Sequence, residues 1–217
     1  MKRLDAIDLL RGIAVLGILI MNIQSFSMPG SAYINPASYG DLMGVNKWVW
    51  ILSHVFADQK FMSIFSMLFG AGIILLTDKL IATDRPVRRT WYSRIFWLFI
   101  FGLMHAWLLW YGDILVYYAI AGCIVFFMRN RSPKFLFRIG IVFFMIPIML
   151  NPFNYASYDF IPEENIKEIE TIWHPSEAEQ QNEVDIYLGN YAGKLKHRMH
   201  EWVGMLIYFF LFTGLWR

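Results

Sequence analysis

Long apolar stretches alternate with short charged ones along the chain, rather than mixing with them at helical spacing. Such blocks are typical of membrane-spanning helices, which need about 20 mostly apolar residues to cross the hydrocarbon core. The pattern predicts an all-α fold, a polytopic transmembrane helical bundle of about six spans. We place these spans at Leu9–Met28, Phe61–Leu76, Ile95–Tyr111, Ile114–Met128, Phe135–Leu150 and Trp202–Trp216.

Composition agrees with a protein whose main partner is the lipid bilayer. Of the 217 residues, 57% are hydrophobic and only 17% charged, against about 25% charged in soluble domains. The formal net charge of +2 gives no reason to expect nucleic acid as a partner. Cys123 is the single cysteine, so an internal disulfide is excluded, and we interpret it as a packing residue.

The positions of the basic residues predict the orientation. Thirteen of the 19 lysines and arginines fall on the side of the N-terminus and six on the other side. Because cytoplasmic loops are enriched in these residues, the bias predicts a multi-pass protein with a cytoplasmic N-terminus.

Two segments on the outer side are long enough to have structure. The first contains "VNKWVWILSHVFADQKF", whose apolar residues share one helical face and predict an amphipathic helix at the outer interface. The second, residues 151–200, is an extracytoplasmic polar helical segment, in which Ser176 and Glu179 have the spacing of a capping box. A further helix through "YAGKLKHRMHEW" leads into the last span. Because no soluble-type linker or repeat interrupts the chain, residues 1–217 are predicted to form one membrane domain.

Charged groups near the ends of spans are costly unless paired, so they are functional candidates. Asp8 and Arg11 are three residues apart and can pair at the cytoplasmic edge, either as a neutralised snorkelling arginine or as an anion site. Asn22 lies deeper in the same span and can hydrogen-bond between helices. Farther on, "SMLFGAG" places Ser66, Gly70 and Gly72 where helices can approach closely.

Histidines supply the remaining candidates. His54 and Asp58 are four residues apart, so the carboxylate can orient the imidazole as a general base or nucleophile, or the two form an interfacial pair. His105 is predicted near the middle of the third span, where it is either a buried hydrogen-bonded residue or part of a polar path. Asp113, at the next turn, either caps the following helix or joins that path. We expect no metal site. The segment "KHRMHEW" contains His197, His200 and Glu201, but their order is not that of the zinc-binding motif HExxH.

Four stretches, "LDAIDLLRGIAVLGILIMNIQSF", "KFMSIFSMLFGAG", "HAWLLWYGDILVYYAIAG" and "YLGNYAGKLKHRM", together resemble the YeiB-like family of bacterial inner-membrane proteins. That family is similar to the transmembrane acyltransferase superfamily that includes heparan-glucosaminide N-acetyltransferase. Its members are longer, so the resemblance implies that this chain corresponds to an N-terminal portion.

The resemblance implies acyl transfer in the bacterial inner membrane, from a cytoplasmic CoA-type donor such as acetyl-CoA to an acceptor near the outer face. On this hypothesis Arg11 binds donor phosphate, and His54 with Asp58 serves as base or acyl carrier. The alternative is a small-molecule transporter, in which Asn22, His105 and Asp113 line a polar path. Whether the protein forms a homo-oligomer stays open.

Overall fold

The computed structural model describes residues 5–156 and 163–212, which are helical with no strand among them. The all-α prediction is confirmed for this part of the chain. The helices, in chain order, are α1 (Asp5–Ser27), α2 (Gly30–Ile34), α3 (Gly44–Phe56), α4 (Lys60–Ala82), α5 (Val87–Met104), α6 (Leu115–Met128), α7 (Pro133–Ala156), α8 (Glu163–Trp173), α9 (Glu177–Leu188) and α10 (Tyr191–Phe212), with a π-helical turn at His105–Leu109 between α5 and α6.

Four helical segments of the described chain are long and apolar enough to cross a membrane: Asp5–Ser27, Gly44–Ala82, Val87–Leu109 and Pro133–Leu150. They overlap four of the six predicted spans. The fourth prediction coincides with α6, whose 14 residues rise about 21 Å, less than the ~30 Å hydrocarbon core. The sixth runs into residues 213–216, which lie outside the described residues. The count of six spans is therefore not confirmed.

Large apolar side chains cover much of the surface. Along α7, for example, Phe137, Phe143 and Phe144 are all exposed. Contiguous apolar surface of this kind is rare on soluble monomers, and a lipid bilayer is the environment that it suits. The helix α3 is likewise confirmed and buries none of its residues, whereas its position at the outer interface stays a prediction.

One compact unit consists of the described residues within Met1–Thr83 and Glu164–Asp185. In this unit α1 packs against α4, where a side chain at Gly17 would overlap the ring of Phe61. Near the start of α1, the Nη2 atom of Arg11 lies 2.9 Å from the position that a Cβ would occupy at Gly72. Gly72 therefore accommodates a guanidinium. At Gly70 the same position meets open space, so the close helix approach predicted there is absent.

The polar segment of the same unit is fixed to the short α2 region by three side chains. The Gly30 N–H donates to both carboxylate oxygens of Glu183, at 3.0 and 3.2 Å. Asn35 Nδ2 donates to the Trp173 carbonyl at 3.0 Å, and Gln180 Nε2 donates to the Ser38 carbonyl at 2.8 Å. Each bond joins residues more than 130 positions apart, so this contact fixes the polar segment against the α2 region.

The predicted capping box at the start of α9 is confirmed. The Ser176 hydroxyl donates to Glu179 Oε2 at 2.8 Å, and the Glu179 N–H donates back to Ser176 Oγ at 3.3 Å. The Ser176 N–H also donates to Glu179 Oε2, at 2.8 Å. These backbone and hydroxyl donors stabilise the carboxylate and lower the pKa of Glu179.

The second unit consists of the described residues within Asp84–Glu163 and Ile186–Arg217. Its centre is the antiparallel pair of α5 and α6, in which Trp91 stacks on Phe126 with ring centroids 5.5 Å apart. The Trp91 indole N–H donates to the Gly122 carbonyl at 3.3 Å. Helix α10 packs against the π-helical turn, so that Trp202 joins Ala106 and Val116 in a small buried core.

Candidate functional site

A π-helical turn at the end of α5 carries the first residue of the candidate site. Its wider ring is closed by the Trp110 N–H, which donates to the carbonyl of His105, five residues earlier, at 2.9 Å. Turns of this kind are rare and occur frequently at functional sites. His105 is the first residue of the turn and lies four residues before the end of the span Val87–Leu109. His105 thus lies toward one end of this helical segment, whereas its depth in a membrane stays a prediction.

His105 and Asp113 form a hydrogen-bonded pair across this turn. His105 Nδ1 lies 3.1 Å from Asp113 Oδ1, and Asp113 Oδ2 accepts the Val116 N–H at 2.9 Å. The aspartate side chain is fully buried, whereas 35% of the histidine side chain is exposed. Asp113 thus caps α6, which was one of its two predicted roles, and also holds the imidazole. Its other predicted role, in a polar path, stays a prediction.

This geometry suits proton transfer. An ionised carboxylate at Nδ1 fixes the tautomer in which that nitrogen carries the hydrogen. Nε2 is then left as the basic nitrogen, on a half-exposed ring. If Nε2 takes up a proton, the buried carboxylate stabilises the resulting imidazolium, as the aspartate of a Ser-His-Asp triad does.

Arg198 is a functional candidate that sequence interpretation missed. It lies on α10 and is only 7% exposed. Its Nη1 donates to the Leu109 carbonyl at the end of the π-helical turn, at 2.9 Å, and its guanidinium carbon stands 5.3 Å from the centre of the Tyr191 ring. The sequence offered one signal, a basic residue on the apolar stripe that leads to Trp202. The neighbouring His197 lies 4.0 Å from Glu201.

The other predicted histidine pair is not assembled. His54 Nδ1 donates instead to the Trp50 carbonyl at 2.8 Å, and its ring lies 4.1 Å from that of Trp50. Helix α3 ends at Phe56, and Gln59 takes a left-handed conformation (φ 58°), so Asp58 does not stand one helical turn above His54. Among the described residues no hydrogen bond or ion pair joins the two. The predicted contact is therefore wrong, and catalysis by either residue stays a prediction.

A cavity of about 320 Å³ lies beside Trp50 in the first unit. Its volume is within the range of small-molecule sites. Gln24 Oε1 and Trp50 Nε1 are buried without a hydrogen-bond partner among the described residues, and both side chains line the cavity. The remaining lining residues are Met28, Ala32, Pro36, Tyr39, Gly40, Asp41, Leu42, Asn46 and Val49.

Near the start of α1, Arg11 and Asp8 lie together as the spacing predicted. Arg11 Nη1 is 3.5 Å from Asp8 Oδ1, and Nη2 donates to the Leu68 carbonyl at 3.4 Å. The arginine thus has a carboxylate and a backbone partner, which is the geometry of a neutralised arginine and leaves its role in anion binding a prediction. Asn22 is eleven residues farther along α1, about 16 Å by helical rise, so it does not join this pair.

The described chain is all-helical and carries four apolar helices of membrane length, the features of a helical membrane protein. It is similar to YeiB of Escherichia coli (strain K12), with 36% identity over 67% of this chain and 37% of that protein. It is also similar to YxaH of Bacillus subtilis (strain 168), with 30% identity over 72% of this chain and 40% of that protein.

Both relatives are uncharacterized, and the chain spans less than half the length of either. These similarities support a YeiB-like family. No protein-family model and no solved structure matches the chain.

Proposed function

We propose that the chain is a YeiB-like membrane protein of the bacterial inner membrane, and that it transfers an acyl group from a CoA-type donor to an acceptor near the outer face. The single observation that carries the proposal is the imidazole of His105, held by the buried carboxylate of Asp113. The resemblance to transmembrane acyltransferases supplies the reaction class.

In the proposed reaction, Nε2 of His105 takes the proton of an acceptor hydroxyl or amine as its oxygen or nitrogen attacks the thioester carbonyl. The new C–O or C–N bond forms as the C–S bond breaks. His105 then returns the proton to the departing CoA sulfur, so the step needs no other reactant. Asp113 positions the imidazole and stabilises its charge. Arg11, in the first unit, stays the predicted ligand for a donor phosphate.

His54 is the second candidate for the base. The observation in its favour is the cavity beside Trp50, the residue on which the His54 ring lies. In this version the cavity holds the acceptor and Asp58 has no direct role. The backbone carbonyl orients the imidazole but supplies no negative charge, so His105 is the stronger proposal.

The rival function is small-molecule transport coupled to protons. The observation that favours it is the same His105–Asp113 pair, because an ionisable pair within or beside a span is typical of proton relays. Asn22 would contribute to the polar path of such a transporter.

The discriminating experiment uses the chain reconstituted in liposomes, with acetyl-labelled CoA on the side of the N-terminus and a set of amine and hydroxyl acceptors on the other. We expect the label to appear on an acceptor, and His105→Ala to abolish this transfer. An acceptor that crosses the membrane without the label would favour transport. Neither labelling nor movement of any acceptor would contradict both proposals.

A further inference from the structure

The guanidinium of Arg198 has one edge that no described residue satisfies. Nη1 donates to the Leu109 carbonyl, whereas Nε and Nη2 are buried and have no hydrogen-bond partner. Among the described residues, no carboxylate forms an ion pair with it. A buried arginine that lacks an anionic partner is costly, since the charge has been removed from water without compensation.

The two unsatisfied nitrogens form the part of the group best suited to a ligand. Nε and Nη2 lie on the same side of the planar guanidinium, and their N–H bonds point in nearly parallel directions. That edge matches two oxygens on one central atom, as in a carboxylate or a phosphate, and forms two short charge-assisted hydrogen bonds with them. A single carbonyl or hydroxyl would satisfy only one of the two donors.

The surroundings of Arg198 contain further hydrogen-bond donors that no described residue satisfies. Trp202 follows one helical turn later on the same side of α10, and its indole N–H is also buried without a partner. The Trp107 indole, whose ring lies 5.9 Å from that of Trp202, is unsatisfied in the same way. This part of the second unit therefore carries excess hydrogen-bond donors and positive charge, the combination that attracts an anion.

The start of α10 gives a route to the site. Tyr191 packs its ring over the guanidinium but is 55% exposed, and its hydroxyl donates to the Leu108 carbonyl at 3.2 Å. Because Nε and Nη2 are shielded, a ligand reaches them only when a neighbouring side chain moves. We expect the Tyr191 ring to be the one that moves.

We propose that the Nε and Nη2 edge of Arg198 binds an oxyanion, a carboxylate or phosphate group that belongs either to a free solute or to a lipid headgroup. The bound group accepts both N–H bonds while Nη1 remains on the Leu109 carbonyl. Because this carbonyl ends the turn that begins at His105, the site adjoins the proposed base. The inference itself does not depend on acyl transfer.

The test follows the arginine Nε–H resonances of the whole chain by ¹⁵N-edited NMR in a phosphate-free detergent. Acetate or inorganic phosphate is added at constant ionic strength, with chloride as the balancing anion. The Arg198 resonance is identified by its loss in Arg198→Lys. If Arg198→Lys does not fold, the Arg198 resonance is identified in Tyr191→Leu, in which it loses the ring-current shift caused by the Tyr191 ring.

Arg129 provides the matched control. Its Nη1 also donates to a backbone carbonyl, that of Phe126 at 2.8 Å, and its Nε is also buried without a partner. Its Nη2, however, is either open to solvent or bonded, so Arg129 has one shielded unsatisfied donor where Arg198 has two. We expect the resonance lost in Arg129→Lys to stay in place while that of Arg198 shifts saturably.

The outcomes distinguish the two sources of the anion. A saturable shift with acetate or phosphate in detergent supports a free oxyanion. A shift only when the chain is moved into phosphatidylglycerol nanodiscs supports a lipid phosphate. If the Arg198 resonance stays unchanged under all these conditions, or moves only as much as that of Arg129, the proposal is wrong. Either result leaves the acetyl-transfer assay unaffected, so the two proposals fail separately.

Discussion

The two units each contain a half-buried histidine near the end of a helix, and the two differ in what holds the ring. His54 donates to a carbonyl of its own helix and lies against Trp50, whereas His105 bonds to a buried carboxylate eight residues away. A carbonyl fixes the direction of an imidazole. A carboxylate also stabilises the positive charge that the ring acquires when it takes a proton.

The comparison shows that similar sequence signals lead to different chemistry. Both histidines precede an aspartate, by four residues in one case and by eight in the other. The spacing of four residues brings two side chains together only if the helix continues through both of them. At His54 the helix ends first, whereas at His105 the π-helical turn and the following loop return the chain so that Asp113 meets the ring.

The largest expected effect is the loss of acetyl transfer when His105 is removed, compared with the removal of His54. His105→Ala should lower acetyl transfer by about 10² to 10⁴-fold, the usual contribution of a general base. His54→Ala should change it by no more than about twofold. Both variants are measured in the same liposome assay, with helicity by circular dichroism as the folding control. A larger loss in His54→Ala would move the reaction to the cavity beside Trp50.

The second effect concerns the carboxylate. Asp113→Asn keeps an oxygen for the Val116 N–H but removes the charge, so we expect a roughly 10 to 100-fold loss of kcat with little change in KM. Asp58→Asn is the matched control, since no hydrogen bond or ion pair of the described chain joins Asp58 to His54, and it should retain full activity. Equal losses in the two variants would show that the charge of Asp113 has no special role.

The third effect tests the packing of the first unit and is one of stability. Gly72→Leu places a side chain where the Arg11 guanidinium lies. Because this end of the arginine is flexible and can shift, we expect a loss of no more than about 1 kcal/mol, at the lower limit for an overpacked core. Gly70→Leu, whose position meets no described residue, should instead gain helix propensity and stabilise the chain by about 0.5 to 1 kcal/mol. Denaturant unfolding in mixed micelles gives both values. A reversed order would mean that Arg11 does not occupy the space above Gly72.

The smallest effect is local and depends on pH. Since the Ser176 donors lower the pKa of Glu179 in the folded chain, the capping box is fully formed above the ordinary glutamate pKa of about 4.3. Its contribution is lost as the pH falls through the lowered value. Amide exchange at the start of α9, corrected for intrinsic rates, should therefore accelerate in that acidic range. In Glu179→Gln this acceleration should be absent, and its persistence would assign the change to another group.

Much of the fold follows from local physics and is readable from sequence. Four apolar stretches became helices of membrane length, and the spacing of Ser176 and Glu179 correctly predicted how α9 begins. These features depend on residues within one or two helical turns. The fourth predicted span coincides with α6, but the 14 residues of this helix are too few to cross a membrane by themselves.

The candidate site was less predictable because it depends on where helices end. His105 and Asp113 were both identified, but their contact required a π-helical turn that no sequence pattern indicated. Arg198 was overlooked beside His197 and His200, since only the packing of α10 against that turn buries its guanidinium. The predicted His54–Asp58 contact was wrong because α3 ends between the two residues.

The most direct test of the central claim, that Asp113 acts through His105, is a double-mutant cycle on acetyl transfer. The rates of wild type, His105→Ala, Asp113→Asn and the double variant are compared in one liposome preparation. Because the two residues are proposed to act as a unit, Asp113→Asn should cost less than about twofold once His105 is absent. If it lowers the rate by the same factor in both backgrounds, the residues act independently and the account is contradicted.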